Sequence, residues 1–418
     1  MSAALPPVDA LLLQRRIDEL SLITEAVPPA VSRVLFSDAD LRGRAFVTGL
    51  CEEAGLALRI DAVGNIFARW PGRAEEAPAV ATGSHIDAIP NAGKFDGVVG
   101  VLGALAAVEA LKEAGFQPLR SLELVVFTAE EPTRFGIGCL GSRMLAGAIS
   151  KARWELLRDA KGQSLEDLRK RAGLSEPLNM VALPQNFYSA FIELHIEQGP
   201  LLELENIPIG IVQAIAGPSA YRVRIEGEGG HAGAVLMPTR HDASLAASEL
   251  ALAVEQAAKD SGSPDTVATT GKWNVFPNAI NSVPCQVDLE IDLRDTCLET
   301  RERALLLMRE ASEEIAARRE VIISWDEINA DPPADGDTQT IEMAEEVARK
   351  LDLATKRMVS RAYHDSLFMA RVCPTTMIFI PSRHGYSHRP EEYSDPAHIA
   401  QGARVLAGLL ARLSILPL

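Results

Sequence analysis

Two carboxylates stand side by side in "VVFTAEEPTRFG", where Glu130 and Glu131 follow an apolar run and precede Pro132. Paired acids at such a place would complement the dipole of a helix start. They would equally suit a division of labour in which one carboxylate binds a cation and its neighbour moves a proton. Residue types that bind metals recur where other apolar runs end. His85 and Asp87 follow "AVATGS", Asp96 lies in "GKFDGVVG", His195 in "FIELHIEQG" and His388 in "GYSHRP". Taken singly, each is ordinary: a histidine at a strand end is commonly a hydrogen-bonded structural residue, and Asp96 could cap the helix that follows. Taken together, they form an imidazole and carboxylate set without thiolate. Such a set suits zinc, manganese, cobalt or nickel and argues against a structural zinc knot. Three histidines, one aspartate and one glutamate suffice for two ions sharing a carboxylate. Ions about 3.5–4 Å apart polarise a carbonyl and acidify a shared water, leaving the spare glutamate to take that water's proton. The His-x-Asp spacing adds Asp87, a carboxylate able to orient the His85 ring.

One topology would bring these positions together. "AVATGSHIDAIP", "SLELVVFTAEE", "AFIELHIEQGP" and "TTMIFIPS" read as buried strands, and "GVVGVLGALAAVEALKEAG" and "PAHIAQGARVLAGLLARL" as helices. Continuous apolar strands alternating with helices predict an α/β domain with a mostly parallel sheet covered on both faces. In such a sheet, ligands bind at the carboxyl ends of the strands. "ALRIDAVGNIFARW" adds a hairpin turning at Gly64 and Asn65.

The pattern changes near Ala216. "YRVRIEGEG", "DTVATTGKWNVF", "PCQVDLEIDLRD" and "EVIISWDEI" contain alternating strands, interleaved with two amphipathic helices. This predicts a two-layer α+β domain with one solvated face, inserted over residues 216–332 into a domain made of 1–215 and 333–418. Residues 227–232 imitate a dinucleotide-binding fingerprint, but Pro238 delays the helix that motif requires.

The 418-residue length suits two domains, and a net charge of −16 argues against nucleic acid or an anionic membrane as main partner. No apolar stretch of about 18 residues is present. The N-terminal segment reads as a helix start rather than a signal peptide. The five cysteines (Cys51, Cys139, Cys285, Cys297, Cys373) form no C-x-x-C pair and read as reduced thiols of a cytoplasmic protein.

"GSHIDAIPNAGKFDGVVGV", "FTAEEPTRFG", "LHIEQGP", "GGHAGAVLMPTRHDA" and "GYSHRPEE" together resemble the metal-dependent amidohydrolases of the carbamoylase and allantoate type, relatives of the di-zinc aminoacylases and carboxypeptidases. The resemblance spans nearly the whole chain. It implies a catalytic domain with two bridged divalent ions, manganese first and zinc, cobalt or nickel as alternatives, and a lid domain that also forms a homodimer. Carried over residue by residue, it implies that His85, Asp96 and His195 hold one ion and Asp96, Glu131 and His388 the other. Glu130 becomes the general base and Asp87 the partner of His85. His231 becomes an oxyanion stabiliser acting across the dimer. Asn281 and Arg294 would hold the carboxylate of a small anionic ureido substrate, a role that suits the forked guanidinium of arginine. Gln198, His364 and Tyr363 would be further substrate contacts.

Where family members usually carry Gly-His-Asp, this chain has Tyr363, His364 and Asp365; "AGAVLMP" likewise departs from the usual wording. These departures bring the chain nearest to the ureidoglycolate-cleaving members. The implied reaction is hydrolysis of a terminal ureido group, with glyoxylate, ammonia and carbon dioxide as products. N-carbamoyl-L-amino acids, N-carbamoyl-β-alanine and allantoate are alternative substrates. More distant alternatives are a di-zinc deacylase or peptidase, which would release no ammonia from a carbamoyl group, and a non-catalytic binding protein. The complete ligand set and the retained Glu130 speak against the last. Arg294 also has a purely structural option, pairing with Asp292 or Asp295.

Overall fold

The computed structural model describes residues 7–417 and divides the chain into two compact units. One comprises the residues up to Gln213, Asp335–Met358 and those from His364 onward; the other comprises Ala214–Ala334 with Val359–Tyr363. Residues 1–6 of the expected N-terminal helix start lie outside the described part. The helix itself runs over Ala10–Ser21, capped by the Asp9 carboxylate.

The first unit is built on a nine-stranded sheet. Its four central strands, Thr375–Ile380, Tyr188–Ile196, Ala79–His85 and Leu122–Phe127, lie side by side in that order and run parallel. Antiparallel strands flank them. Ile66–Trp70 and Ala57–Ile60 form the hairpin expected around Gly64, and Ile209–Ile215 pairs on the other side. The continuous apolar runs follow from burial on both faces. Leu124 and Val126 point into one hydrophobic core, while Val125 and Phe127 point into the other. Each such side chain, once buried, stabilises the fold by roughly 1.5–3 kcal/mol. The first core is shared with helices Val98–Glu113 and Pro396–Ser414, which pack against each other. Every residue of the former from Val98 to Val108 is buried, so this helix carries no polar stripe.

Chain order differs from spatial order. From Ala79–His85 the chain goes to the strand on one side, Leu122–Phe127, and then returns to the other side as Tyr188–Ile196. The point of reversal lies between the strands ending near His85 and His195, where an open α/β sheet leaves a crevice.

The second unit is an antiparallel four-stranded sheet. Val287, Leu289, Ile291 and Leu293 alternate inward against helices Ala243–Lys259 and Leu298–Arg319. Their neighbours point outward, where Asp288 pairs with Arg224 and Glu290 with Arg222 and Lys272. Alternation of apolar and charged residues thus reflects one packed and one solvated face.

Candidate metal centre

The ring centroids of His85 and His195 lie 6.1 Å apart at an interplanar angle of 29°. The Nδ1 of His85 is 3.0 Å from the Asp87 carbonyl oxygen, and that of His195 is 2.9 Å from the Ile196 carbonyl oxygen. A carbonyl only accepts, so each Nδ1 carries the hydrogen and each Nε2 of the neutral ring keeps a lone pair. The Nε2 of His195 also accepts the Gly97 N–H at 3.2 Å, and both Nε2 atoms lie near Asp96. Its Oδ1 lies 3.5 Å from His85 Nε2 and 3.2 Å from His195 Nε2. Its Oδ2 lies 3.3 Å from His388 Nε2, which is itself 3.4 Å from Glu131 Oε1. One carboxylate therefore serves two ligand groups, His85 with His195 and Glu131 with His388; the atoms within each three-residue group lie within 4.8 Å of one another.

Close packing holds this geometry. Gly97, next to Asp96, has φ +66°, and a Cβ there would lie 2.5 Å from the His85 ring. Helix Val98–Glu113 starts after it with Gly97, not Asp96, in the capping position, so the N-cap alternative for Asp96 does not hold. Three non-glycine residues next to or within the cluster, Ala129, Gln198 and His388, also sit at positive φ. Each costs about 1–3 kcal/mol and persists where the surroundings over-determine it.

Glu130 and Glu131 do not start a helix; a turn follows them and the next helix is Leu140–Leu145. Asp87 fixes their backbone, its Oδ1 and Oδ2 accepting the N–H groups of Glu130 and Glu131 at 3.2 and 3.1 Å. Its carboxylate reaches His85 Nδ1 only at 3.6 Å, so the carbonyl orients the ring while the carboxylate orients the glutamate pair. Glu130 points its Oε2 to 3.7 Å from His85 Nε2, and its Oε1 accepts the Cys139 thiol at 3.5 Å.

Electrostatics show what the cluster needs. Burial, reinforced by the charge of Asp96, pushes Glu131 up to about 7. Burial and the charge of Glu131 hold Glu130 well above the usual carboxylate range. Burial alone would lower His85, but Glu130, Asp96 and Asp87 outweigh it and raise the imidazole well above its ordinary value. The hydrogen bond to Asp96 raises His388 to about 9. Burial alone would raise Asp96, but its bonds to His195, His388 and His85 outweigh that and hold it well below the usual carboxylate range. Groups shifted in these directions form a site short of positive charge. Gln198 Oε1 is buried there without a hydrogen-bond partner, although Gln198 Nε2 donates to Asp96 Oδ2 at 2.7 Å. Nitrogen and oxygen donors in two groups around one carboxylate fit a pair of divalent ions.

His364 is buried against His195, with ring centroids 4.4 Å apart. Together with Glu193 these rings form a third group of metal-binding type. Glu193, however, is engaged by Ser84 and by Ser366. Glu392 was not singled out in the sequence, although it lies in the "GYSHRPEE" motif; it is buried beside Asp96 and accepts its N–H at 3.0 Å.

The remaining candidates belong to the second unit. His231 and Asn281 are exposed, and their segments meet through the pairing of His231 with Ser282. Arg294 makes a two-pronged pair with Asp292 at 2.7 and 3.0 Å and lies over the Tyr363 ring at 5.0 Å. The structural option for this arginine is thus realised.

The chain belongs to peptidase family M20/M25/M40, whose pattern matches residues 81–412. It is a hydrolytic enzyme acting on amide bonds, of a family that uses divalent metal. It is 52% identical over 413 residues to the ureidoglycolate hydrolase of Oryza sativa subsp. japonica, covering 98% of this chain and 85% of that protein. The N-carbamoyl-L-amino acid amidohydrolase of Geobacillus stearothermophilus is 36% identical over 395 residues, 94% of this chain and 96% of that one. The crystal structure of AtUAH in complex with (S)-hydroxyglycine superposes with a TM-score of 0.92 at 52% identity, covering 98% of this chain and 99% of that one.

Proposed function

We propose that the protein hydrolyses ureidoglycolate to glyoxylate, ammonia and carbon dioxide, using two manganese ions as a cytoplasmic homodimer. The observation that carries the metal reading is Asp96, whose two oxygens face separate ligand groups. His85, Asp96 and His195 would hold one ion and Asp96, Glu131 and His388 the other. Bound there, the ions would polarise the ureido carbonyl and acidify a water. Manganese suits this donor set, with zinc, cobalt and nickel as competitors decided by availability.

Glu130 takes the proton of the attacking water and delivers it to the leaving nitrogen. Its buried setting and the Asp87 bonds to its backbone suit that task. Cleavage releases carbamate, which decays to ammonia and carbon dioxide, and hydroxyglycine, which loses a second ammonia to give glyoxylate. Gln198 and His364 are assigned to contacts with the ureido group. Arg294 and Asn281 are assigned to the substrate carboxylate, and Tyr363, whose ring lies beside Arg294, to selection for a small acid. His231, exposed on its own unit, is assigned to oxyanion stabilisation in a partner copy.

Support for the substrate comes from the higher identity to the ureidoglycolate hydrolase than to the carbamoylase, 52% against 36%. The dimer reading is supported by the edge strand Val267–Phe276, which exposes Trp273 and Phe276, and by Leu245 and Leu252 exposed on Ala243–Lys259. Five free cysteines suit a reducing compartment. No helix among the described residues is long and apolar enough to cross a membrane.

Product stoichiometry tests this reading. Manganese-loaded protein is given ureidoglycolate, allantoate, an N-carbamoyl-L-amino acid and N-carbamoyl-β-alanine in parallel. Two ammonia and one glyoxylate per ureidoglycolate, with little turnover of the others, is the expected outcome. One ammonia and a stable amino acid from a carbamoyl substrate, at a higher rate, would replace the substrate assignment.

A further inference from the structure

We infer that Glu392 is a positioning residue that ties the Asp96 loop to the His388 loop, so that both ligand groups keep their shared geometry. The inference rests on the two-ion reading above. Glu392 is 4% exposed, and its hydrogen bond with Asp96 is to the backbone N–H rather than to the carboxylate. One oxygen, Oε1, accepts the backbone N–H groups of Phe95 at 2.8 Å and Asp96 at 3.0 Å. The other, Oε2, accepts the Ser387 hydroxyl at 3.0 Å. Ser387 precedes His388, and its hydroxyl also lies 2.8 Å from Asp96 Oδ2. A single carboxylate thus spans nearly 300 residues of chain to join two loops that carry ligands. The fit around it is tight. A Cβ on Gly93 would lie 2.3 Å from Glu392 Cβ and 2.5 Å from its Oε1, so the Asp96 loop is shaped to admit this side chain.

The neighbouring residue is a built-in contrast. Glu391 pairs with Arg389 on the surface at 2.9 Å and is exposed. Two adjacent glutamates in one motif therefore do different things, one solvated and one bracing the site. Partners outside the ligand shell typically control about 10–100-fold in metal affinity.

Reach and charge separate by substitution. Glu392→Gln keeps the length and the acceptor for the Phe95 and Asp96 N–H groups. Glu392→Asp keeps the charge but withdraws the carboxylate by one methylene. Manganese(II) binding is measured by equilibrium dialysis with metal analysis, alongside the melting temperature of the metal-free protein. Two ions in wild type, near-wild-type affinity in Glu392→Gln and about 10–100-fold weaker binding in Glu392→Asp is the expected pattern. Wild-type affinity in Glu392→Asp, or equal weakening in both variants, overturns the positioning role even when wild type binds two ions. A lowered melting temperature with unchanged affinity overturns it too. Wild-type protein that takes up fewer than two ions overturns the two-ion reading, and the inference with it.

Discussion

The cluster around Asp96 and the outward face around Arg294 both gather charged and polar side chains, but they satisfy them differently. Around Asp96 the groups are mostly buried, crowd carboxylates and imidazoles against one another, and leave Gln198 Oε1 without a hydrogen-bond partner. Around Arg294 the charge is already matched by Asp292 and the ring of Tyr363. A buried polar group without a protein partner is costly, and the first arrangement, with its donors gathered around one carboxylate, suits a bound cation. A half-exposed arginine with a carboxylate neighbour implies nothing by itself, and its role in binding depends on exchanging that neighbour for substrate.

The contrast is broken most severely at its centre. Asp96→Ala removes the carboxylate common to both ligand groups, so both ions and all measurable turnover should be lost; metal analysis after dialysis checks this. Retention of one ion would mean that Asp96 is not shared. Glu130→Gln should keep the metal and lower kcat by about 10²–10⁴, the usual range for a general base. If metal is lost along with activity, Glu130 is a ligand and not the base. Arg294→Ala should act on the other region alone. Loss of charge-assisted hydrogen bonds worth about 1.5–3 kcal/mol would raise KM roughly 10–100-fold, with metal content unchanged. An unchanged KM would leave Arg294 with its structural pairing only.

The smallest expected effect is a gradient with pH. In the metal-free protein the Asp96 hydrogen bond raises His388 to about 9, and burial raises Glu131 to about 7. Below those values each holds a proton that an ion must displace. Manganese affinity should therefore climb with pH through this range, roughly tenfold per unit for each displaced proton. Calorimetry in buffers of different ionisation enthalpy reads the proton release directly. Affinity independent of pH between about 6 and 9 would remove His388 from the ligand set.

Much of this was legible in the chain, for a physical reason. His85, His195, Glu130 and Glu131 end apolar runs, and a parallel sheet places such ends together. The inserted unit was visible because alternation in "PCQVDLEIDLRD" differs in period from the continuous run in "ELVVFTA". What stayed hidden depended on burial that neighbours decide. Glu391 and Glu392 are identical in type and adjacent, yet only one is buried. The Asp87 carboxylate turns to the glutamate backbone rather than the histidine, which no spacing rule reveals. The antiparallel strand Ile209–Ile215 lies in none of the runs that stand out in the chain, and the short helices Lys151–Trp154 and Leu165–Arg171 are too brief for a helical period to show.

The most direct measurement is anomalous diffraction from crystals of the manganese-loaded protein. Two peaks about 3.5–4 Å apart, one on the His85 and His195 side of Asp96 and one on the Glu131 and His388 side, are expected. A single peak, or two peaks that do not share Asp96, would contradict the bridged centre on which the proposed chemistry rests.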